Sequence, residues 1–243
     1  MNIDLSIVGP AFVTGLVVLA SHVPLGRRVL ERGIVFLDLA VAQLSATGAV
    51  AVHLLDIEKE WAVQLGALAA ALLGAFALYG CERRWPRFQE ALIGATFVVS
   101  ASLVMLLLAG SPHGGEHLQD VLAGQLLWVT WEQIAFAAAA SAGVLILWRT
   151  LRDRLGAGLF YGLFAVAVTV SVQLVGVYLV FASLILPALV ATRRGLAVGY
   201  LAGAVGYAVG LAVSALLDLP AGPSAVCGLA VASAAFGVGV RAR

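Results

Sequence analysis

Charged residues cut the chain into long apolar segments. A helix crosses the hydrocarbon core of a bilayer with about 20 apolar residues, and the segments that reach or approach this length are roughly 6–25, 34–55, 61–80, 89–110, 132–148, 159–175, 176–192, 196–217 and 225–240. The stretch 159–192 carries no charge, is too long for one span and fits two, so we predict eight or nine spans. Residues 121–131 are apolar but too short to cross, and we interpret them as an interfacial or re-entrant piece.

The composition agrees with a chain that faces lipid. Hydrophobic residues make up 62% of it and charged residues 11%, whereas soluble domains are about 45–50% apolar and about 25% charged. This excludes a soluble enzyme domain, a disordered tail and a nucleic-acid binder. The two cysteines stand far apart outside any CxxC context, so no disulfide framework is indicated. We predict an all-α, polytopic integral membrane helical bundle that forms a single transmembrane domain over residues 1–243.

The positions of the basic residues predict the orientation of this bundle. Thirteen of the 14 basic residues fall on one side of the predicted spans, and Lys59 alone falls on the other. Cytoplasmic loops carry an excess of Arg and Lys. We therefore predict that the N-terminus lies outside and the C-terminus lies in the cytoplasm.

Two polar side chains in the second span are candidates for a transport path. Asp38 and Gln43 lie inside an otherwise apolar segment, and polar groups within a membrane are functional candidates by default. One interpretation makes Asp38 a boundary carboxylate that pairs with Arg32 or with a helix N-terminus. The other makes it an oxygen ligand in a cation path. Because five residues separate Asp38 from Gln43, about 140° of helix rotation lies between them.

An outer loop holds the densest polar cluster of the sequence. It contains His113, Glu116, His117 and Asp120, and imidazole and carboxylate groups suit zinc or manganese. His113 to His117 also reads H-x-x-E-H, but two glycines after a proline do not form the rigid helix that this protease motif needs. The loop is either a first contact for a metal ion or a docking partner, or a solvated loop.

Small residues and prolines mark two other features of the late spans. Gly195, Gly199, Gly203, Gly206 and Gly210 share one helix face, which favours close helix packing within one bundle; a homodimer face is the alternative. Pro187 interrupts a long apolar stretch, and broken helices at membrane depth are typical of transporter pathways.

Several segments together resemble one family, the ABC-3-type metal permeases of zinc, manganese and iron importers. In chain order they are Pro24-Leu-Gly26 with the arginines that follow, the acid-plus-IG start Glu90-Ala-Leu-Ile-Gly94, the stretch from Leu122 to Glu132, the VG..LV...LILPA signature from Val175 to Ala188, and the turn Asp218-Leu-Pro-Ala-Gly-Pro-Ser224. The matches run over nearly the whole chain in the same order.

The resemblance implies a permease subunit of an ABC-type importer for divalent metal ions, with zinc expected first and manganese or iron as alternatives. The ion is the transported substrate, and no permanently bound cofactor is expected. ATP hydrolysis belongs to a separate ATPase subunit, which agrees with the absence of a P-loop motif from this sequence, so the chain itself is not an enzyme. The other implied partners are an extracytoplasmic metal-binding protein and a second permease copy, and the implied location is a bacterial inner membrane.

The chain departs from the family pattern at two places. The family carries Asp and His in a D-x3-H pattern on the second span; an ungapped count places these on Leu39 and Gln43, with Asp38 one residue early. The cytoplasmic loop after the fifth span is reduced to residues 149–158, about twenty residues fewer than is usual. Other basic residues are then the candidates for ATPase docking, namely Arg83, Arg84, Arg87, Arg193 and Arg194.

Two other functions remain as alternatives. The shortened loop and Gln43 are compatible with a diverged, ATP-independent facilitator for a metal or another solute. A membrane enzyme or scaffold is the third hypothesis, although the sequence pairs no catalytic groups at one membrane depth.

Overall fold

The computed structural model describes residues 5–55, 57, 59–109, 122 and 124–237, apart from the side chains of 5 and 152–155. In this part of the chain every regular element is helical, which confirms the all-α class. The α-helices are α1 (Leu5–Arg32), α2 (Leu37–His53), α3 (Glu60–Arg84), α4 (Gln89–Leu108), α5 (Trp131–Arg194), α6 (Leu196–Leu217) and α7 (Ala221–Gly237). Two short 3-10 turns cover Pro86–Phe88 and Leu126–Trp128.

The helices differ in whether they are long enough to cross a bilayer. Six helical segments of the described chain have the length and apolar composition of a span. Helices α2 and α7 are apolar but have 17 residues each, which gives about 25 Å of helix against a hydrocarbon core of about 30 Å. The number of eight or nine spans and the orientation stay predictions.

Helix α1 extends beyond its predicted end at residue 25. Pro24 lies inside it, and the helix continues because the following turn is supported by ion pairs. Glu31 accepts from Arg27 Nε at 3.2 Å and from Arg28 at 3.0 Å, at the i,i+4 and i,i+3 spacings that stabilise helices. Basic residues that the sequence pattern assigned to a loop therefore lie on the last turns of a helix.

Helix α5 contains three of the predicted spans and is interrupted by glycines. Gly156 and Gly176 have φ values of +59° and +78°, which an α-helix of L-residues does not adopt and glycine tolerates. Gly176 falls at the boundary predicted between spans 159–175 and 176–192. The segment Gly156–Arg194 has 39 residues, so this interruption divides a helix that is too long for a single crossing.

The described residues fall into two compact units. The first unit comprises the described residues of 1–32, 123–142 and 171–243, and the second those of 33–122 and 143–170. The first unit therefore contains α1, the two ends of α5, α6 and α7. The second contains α2, α3, α4 and the middle of α5. The prediction of a single domain stays a prediction.

In the first unit the glycine-rich face of α6 packs against other helices of the same chain. A Cβ on Gly206 would lie 2.6 Å from Cα of Leu229, and one on Gly210 would lie 2.5 Å from Cα of Ala225, both on α7. A Cβ on Gly199 would lie 2.6 Å from Cβ of Ala191 on α5. Backbones this close require glycine, as expected where helices associate in lipid. The interpretation of this face as packing within the bundle is confirmed for Gly199, Gly203, Gly206 and Gly210, whereas Gly195 precedes the helix and a Cβ there would have nothing within 4 Å.

A tyrosine in the first unit compensates for a proline. Pro24 has no N–H, so the carbonyl of Ala20, four residues earlier, loses its helical donor. Tyr200 of α6 donates its hydroxyl to that carbonyl at 3.0 Å. A buried carbonyl without a donor is costly, so this bond helps α1 to keep its proline inside a packed helix.

The second unit packs α2 between α3 and α4. Positions on α3 that face inward are alanines with no exposed surface, Ala67, Ala71 and Ala75. Val50 of α2 packs in one cluster with Val104 and Leu108 of α4. A Cβ on Gly48 of α2 would lie 2.7 Å from Cβ of Ala70 on α3, so small residues let the two helices approach closely.

The irregular segment before α5 packs inside the first unit. Gly124 has φ +71°, and a Cβ there would overlap the backbone of Val175. Leu126 in the following 3-10 turn is 2% exposed. The described part of the predicted interfacial piece is therefore a turn that lies against the interruption of α5.

Candidate functional site

Asp38 is a buried carboxylate without a hydrogen-bond partner. It lies in the first turn of α2 and is 1% exposed. Neither of its carboxylate oxygens accepts a hydrogen bond from any described residue. A buried ionised carboxylate without compensation is strongly unfavourable. The described residues thus give Asp38 none of the hydrogen bonds that a boundary carboxylate would make.

Glu90 fixes the backbone just before Asp38. Its Oε1 accepts from the N–H of Phe36 at 3.3 Å, and Phe36 is the residue that caps α2. Glu90 itself lies in the first turn of α4. Its carboxylate thus links α4 to the residue that precedes α2.

A second polar side chain on α2 is also buried without a partner. Ser45 is 1% exposed, and its hydroxyl makes no hydrogen bond with a described residue. It follows Asp38 by seven residues, so both lie on the same face of the helix, two turns apart. Gln43 is 4% exposed but lies about 140° around the helix from Asp38.

His22 is a candidate that the sequence pattern did not identify. In the sequence pattern it lies three residues before the predicted end of the first span at residue 25. In the structure it lies inside α1 and has no exposed surface. Its Nδ1 lies 3.2 Å from the hydroxyl of Ser21, and its Nε2 has no hydrogen-bond partner among the described residues.

The basic residues considered for docking lie at helix ends and are exposed. Arg83 and Arg84 occupy the last turn of α3, and Arg193 and Arg194 the last turn of α5. Arg87 lies in the short 3-10 turn between α3 and α4. All five are solvent- or headgroup-accessible.

Aromatic contacts hold the segment between α3 and α4 in the second unit. The guanidinium carbon of Arg83 lies 5.9 Å from the centre of the Tyr79 ring, and Tyr79 contacts Tyr161 with ring centres 5.7 Å apart. The amide of Gln89 donates to the Tyr161 hydroxyl at 2.6 Å. The contacts of Tyr79 and Gln89 with Tyr161 therefore hold the end of α3, which carries the exposed Arg83, and the start of α4 in place.

Pro187 does not end its helix, contrary to the expectation from the sequence. Helix α5 continues through it to Arg194, and the interruption lies at Gly176 instead. A proline inside a helix removes one hydrogen bond, here to the carbonyl of Ser183, and need not stop the helix. The ring is buried against α6, since a Cβ on Gly203 would lie 3.3 Å from its Cγ.

The turn between α6 and α7 covers fewer residues than the motif 218–224 that marks it in the sequence. Asp218 adopts a left-handed conformation with φ +54° and ends α6. Helix α7 already begins at Ala221. The turn therefore covers 218–220, and Pro223 lies in the first turn of α7, where a missing N–H has no helical partner to lose.

The outer-loop candidates His113, Glu116, His117 and Asp120 lie outside the described residues. Within the described part, no group of three or more His, Cys, Asp or Glu side chains is arranged to hold a metal ion. Among the described titratable side chains that have a buried atom without a hydrogen-bond partner, Asp38 and His22 are the ones whose whole residue is buried.

Two solved structures share this fold. PsaBC from Streptococcus pneumoniae in complex with a Fab aligns with a TM-score of 0.74 and 20% identity, over 94% of this chain and 90% of that chain. A structure described as an inward-facing conformation of a metal-chelate type ABC transporter aligns with a TM-score of 0.69 and 16% identity, over 95% of this chain and 85% of that chain. At these identities the likeness concerns the fold.

The comparison with protein families covers nearly the whole sequence. The model described as the ABC 3 transport family matches residues 4–160 and 149–238. The two matched pieces overlap at 149–160, where the sequence has the shortened connection after the fifth predicted span. The chain belongs to the ABC 3 transport family.

Proposed function

We propose that this chain is the membrane permease subunit of an ABC-type importer for divalent metal ions, with zinc expected first and manganese or iron as alternatives. Family membership supports the permease assignment. The single structural observation that supports cation transport is Asp38, a carboxylate inside an apolar helix with no hydrogen-bond partner among the described residues. Intramembrane carboxylates are retained where they serve an ion path.

In this proposal Asp38 offers oxygen ligands to the cation in transit. A divalent cation would compensate the buried negative charge that no described residue neutralises by a hydrogen bond. The dipole of α2 favours a negative charge in its first turn, which lowers the cost of the ionised carboxylate that binds the cation. Glu90 positions the helix start through the N–H of Phe36.

ATP hydrolysis and the capture of the ion belong to other chains in this proposal. An ATPase subunit on the cytoplasmic side would drive alternating access, and an extracytoplasmic metal-binding protein would deliver the ion. A second copy of this chain would complete the pathway in a bacterial inner membrane. The exposed arginines at the ends of α3 and α5 supply positive charge for the ATPase contact.

The decisive experiment compares two charge-removing variants in proteoliposomes that contain the permease and its co-purified ATPase. Asp38→Asn removes the buried carboxylate, whereas Glu60→Gln removes an exposed one from the first turn of α3. An interaction with a charged group contributes about 1.5–3 kcal/mol, so we expect D38N to reduce ATP-dependent Zn²⁺ uptake about tenfold or more. E60Q should transport at the rate of the unmodified chain.

Normal uptake by D38N would contradict the assignment of Asp38. If the unmodified complex takes up neither zinc nor manganese nor iron, metal transport itself is contradicted. Parallel assays with Mn²⁺ and Fe²⁺ identify the ion. Folding of each variant is checked by its elution in size-exclusion chromatography.

An ATP-independent facilitator is the second candidate, and the connection at 149–158 favours it. This segment is part of helix α5 and is interrupted at Gly156, so the described backbone contains no extended docking loop there. Flux of Zn²⁺ into liposomes that hold this chain alone would support the facilitator. Strict dependence on the ATPase and ATP would exclude it.

A further inference from the structure

We propose that a groove between α6 and α7 binds an acyl chain of a phospholipid with an ammonium headgroup, with phosphatidylethanolamine as the representative. The groove has a volume of about 390 Å³, and ten residues line it, between Val209 on α6 and Val231 on α7. It lies within the first unit and contains none of the residues assigned to the metal path. The inference therefore goes beyond the proposed function and does not depend on it.

The lining of the groove is apolar apart from one hydroxyl and one thiol. Ser224 carries the hydroxyl and Cys227 the thiol, and the other lining residues are Gly, Pro, Val and Leu. None of these ten described residues is charged. A polar ligand would lose its hydrogen bonds to water in such a groove without replacement, whereas a hydrocarbon chain needs no hydrogen bonds.

The size of the groove fits a small ligand rather than a protein partner. Pockets for small molecules measure about 300–1,000 Å³, and this groove falls in that range. A stable protein interface takes about 20–30 residues from each partner, whereas ten residues line the groove.

Gly210 and Gly228 line the groove at a point where the two helices touch through their backbones. A Cβ on Gly228 would lie 2.8 Å from Cα of Gly210. Because neither residue has a side chain, the space beside this contact stays unfilled. Val209 and Val231, which also line the groove, are 45% and 67% exposed. The groove is thus open to the surroundings of the bundle, which at the depth of a membrane span are lipid chains.

The length of the groove matches one leaflet of the bilayer. On α6 it reaches from the helix end at Leu217 back to Val209, which is about 12 Å of helix. On α7 it reaches from the helix start at Ala221 to Val231, about 15 Å, and the turn at 219–220 closes one end. Half of a hydrocarbon core of about 30 Å is about 15 Å. The groove therefore runs from the end of the span toward the middle of the membrane, as an acyl chain does.

The end of the groove at this turn has an acidic neighbour. Leu219 and Pro220 line the groove, and Asp218 comes directly before them with an exposed side chain. Asp218 forms no ion pair with a described residue. Its carboxylate is thus available to a positive charge at the membrane surface.

The arginines of the first unit lie at the opposite end of α6. Arg193–Arg194 precede this helix, whose 22 residues extend about 33 Å. Tyr200, early in α6, donates to the carbonyl of Ala20 on α1. Tyr207, later in α6, lies against Gly15. The two helices are therefore antiparallel, so the arginines that end α1 lie with 193–194. Among the described residues of this unit, no arginine or lysine lies at the groove end of α6.

The charge of Asp218 favours one class of phospholipid. The ammonium group of phosphatidylethanolamine is attracted to a carboxylate, whereas phosphatidylglycerol carries a net negative charge and is repelled. The hydroxyl of Ser224 lies in the lining close to the turn and can donate to a phosphate or ester oxygen. An exposed ion pair of ordinary strength corresponds to a preference of about two- to fivefold.

The test is photo-crosslinking of the full chain in mixed micelles of an uncharged maltoside detergent. The probe is phosphatidylethanolamine with a diazirine in its acyl chain, and mass spectrometry identifies the peptides that carry it. We expect the crosslinks to concentrate in residues 209–231. Unlabelled phosphatidylethanolamine should compete at a mole fraction about two- to fivefold lower than phosphatidylglycerol does.

Two variants test the groove and the charge separately. Val213→Trp fills the groove from α6 and should lose these crosslinks, whereas V98W, at an exposed valine of α4, should keep them. Asp218→Asn removes the charge, and Asn tolerates the left-handed conformation of this position. D218N should keep the crosslinks at 209–231 but let the two lipids compete equally, and E60Q should retain the preference.

Three outcomes would overturn the proposal. Crosslinks spread over all exposed helix faces and unchanged in V213W would remove the acyl-chain site. Equal competition by both lipids in the unmodified chain would remove the headgroup preference. In C81S, which leaves Cys227 as the only cysteine, an oxidative dimer that phosphatidylethanolamine does not suppress would assign the groove to a second copy. D218N tests the site even if V213W does not fold, and a failure of metal uptake leaves these results unchanged.

Discussion

The contact between α6 and α7 yields a quantitative prediction for Gly210→Ala. The added Cβ would lie 2.5 Å from Cα of Ala225 and 2.6 Å from the carbonyl oxygen of Ser224. Carbon atoms in favourable contact are about 3.5–4.0 Å apart, so the two helices must separate by about 1 Å. Both obstructing atoms belong to the backbone, so no rotamer change can relieve the overlap.

The expected change in the free energy of unfolding of G210A combines an unfavourable packing effect with a smaller, favourable helix-propensity effect. Overpacking a close-packed interior costs about 1–3 kcal/mol, and separation of the helices also weakens the contacts of Gly206 and Gly228 with each other's helix. Replacing Gly by Ala inside a helix returns at most about 1 kcal/mol. We expect G210A to lower the free energy of unfolding by about 1–2 kcal/mol.

Gly80→Ala is the matched control. Gly80 also lies inside a helix, α3, but a Cβ there would have nothing within 4 Å. This variant should gain up to about 1 kcal/mol from helix propensity alone. The difference between the two variants therefore isolates the packing cost.

The assay is unfolding of the purified chain in mixed micelles with increasing sodium dodecyl sulfate, followed by far-UV circular dichroism. If G210A is as stable as G80A, the close approach of α6 and α7 described above is wrong. A loss for both variants alike would place the effect in the helices themselves and refute the packing argument.

Two hydrogen bonds give further predictions. Tyr200→Phe should lower the free energy of unfolding by about 1–3 kcal/mol, because the carbonyl of Ala20 loses its donor. In the Pro24→Ala background, where the new N–H can bond that carbonyl, the same change should lower it much less. Equal losses in both backgrounds would refute the compensation. Thr130→Ala should cost about 0.5–2 kcal/mol, since Thr130 Oγ1 accepts from the N–H of Gln133 at 3.3 Å in the capping box of α5. Both are measured in the same micelle titration, and an unchanged midpoint for T130A would contradict the cap.

The sequence predicts helix ends well where charge or backbone chemistry marks them. Helix α6 has the predicted bounds, because Gly195 with φ +91° and Asp218 with φ +54° enclose it. The end of α1 was predicted seven residues early. The arginines there looked like a loop, but their ion pairs with Glu31 extend the helix. Charge content alone does not separate a basic loop from a basic helix turn.

Of the two buried titratable side chains described above, the sequence analysis identified only Asp38 as a site residue. Asp38 stands out because a carboxylate is rare in an apolar segment, and the structure adds that its oxygens have no partner among the described residues. His22 is not among the predicted site residues, because its burial depends on where α1 ends and its contact with Ser21 on the packing of the bundle. Neither fact follows from residue spacing.

Burial is informative about function in this chain only for polar groups. Large apolar side chains such as Leu73, which is 74% exposed, and Leu106, which is 72% exposed, face outward because lipid is as apolar as they are. Most buried hydroxyls are satisfied locally, as Ser183 is by the carbonyl of Leu179 at 2.6 Å, and such groups need no functional explanation. The titratable groups that lack this local solution are the ones whose retention a transported ion would explain. For that reason the proposed ion path rests on the unpaired oxygens of Asp38 rather than on the position of any motif.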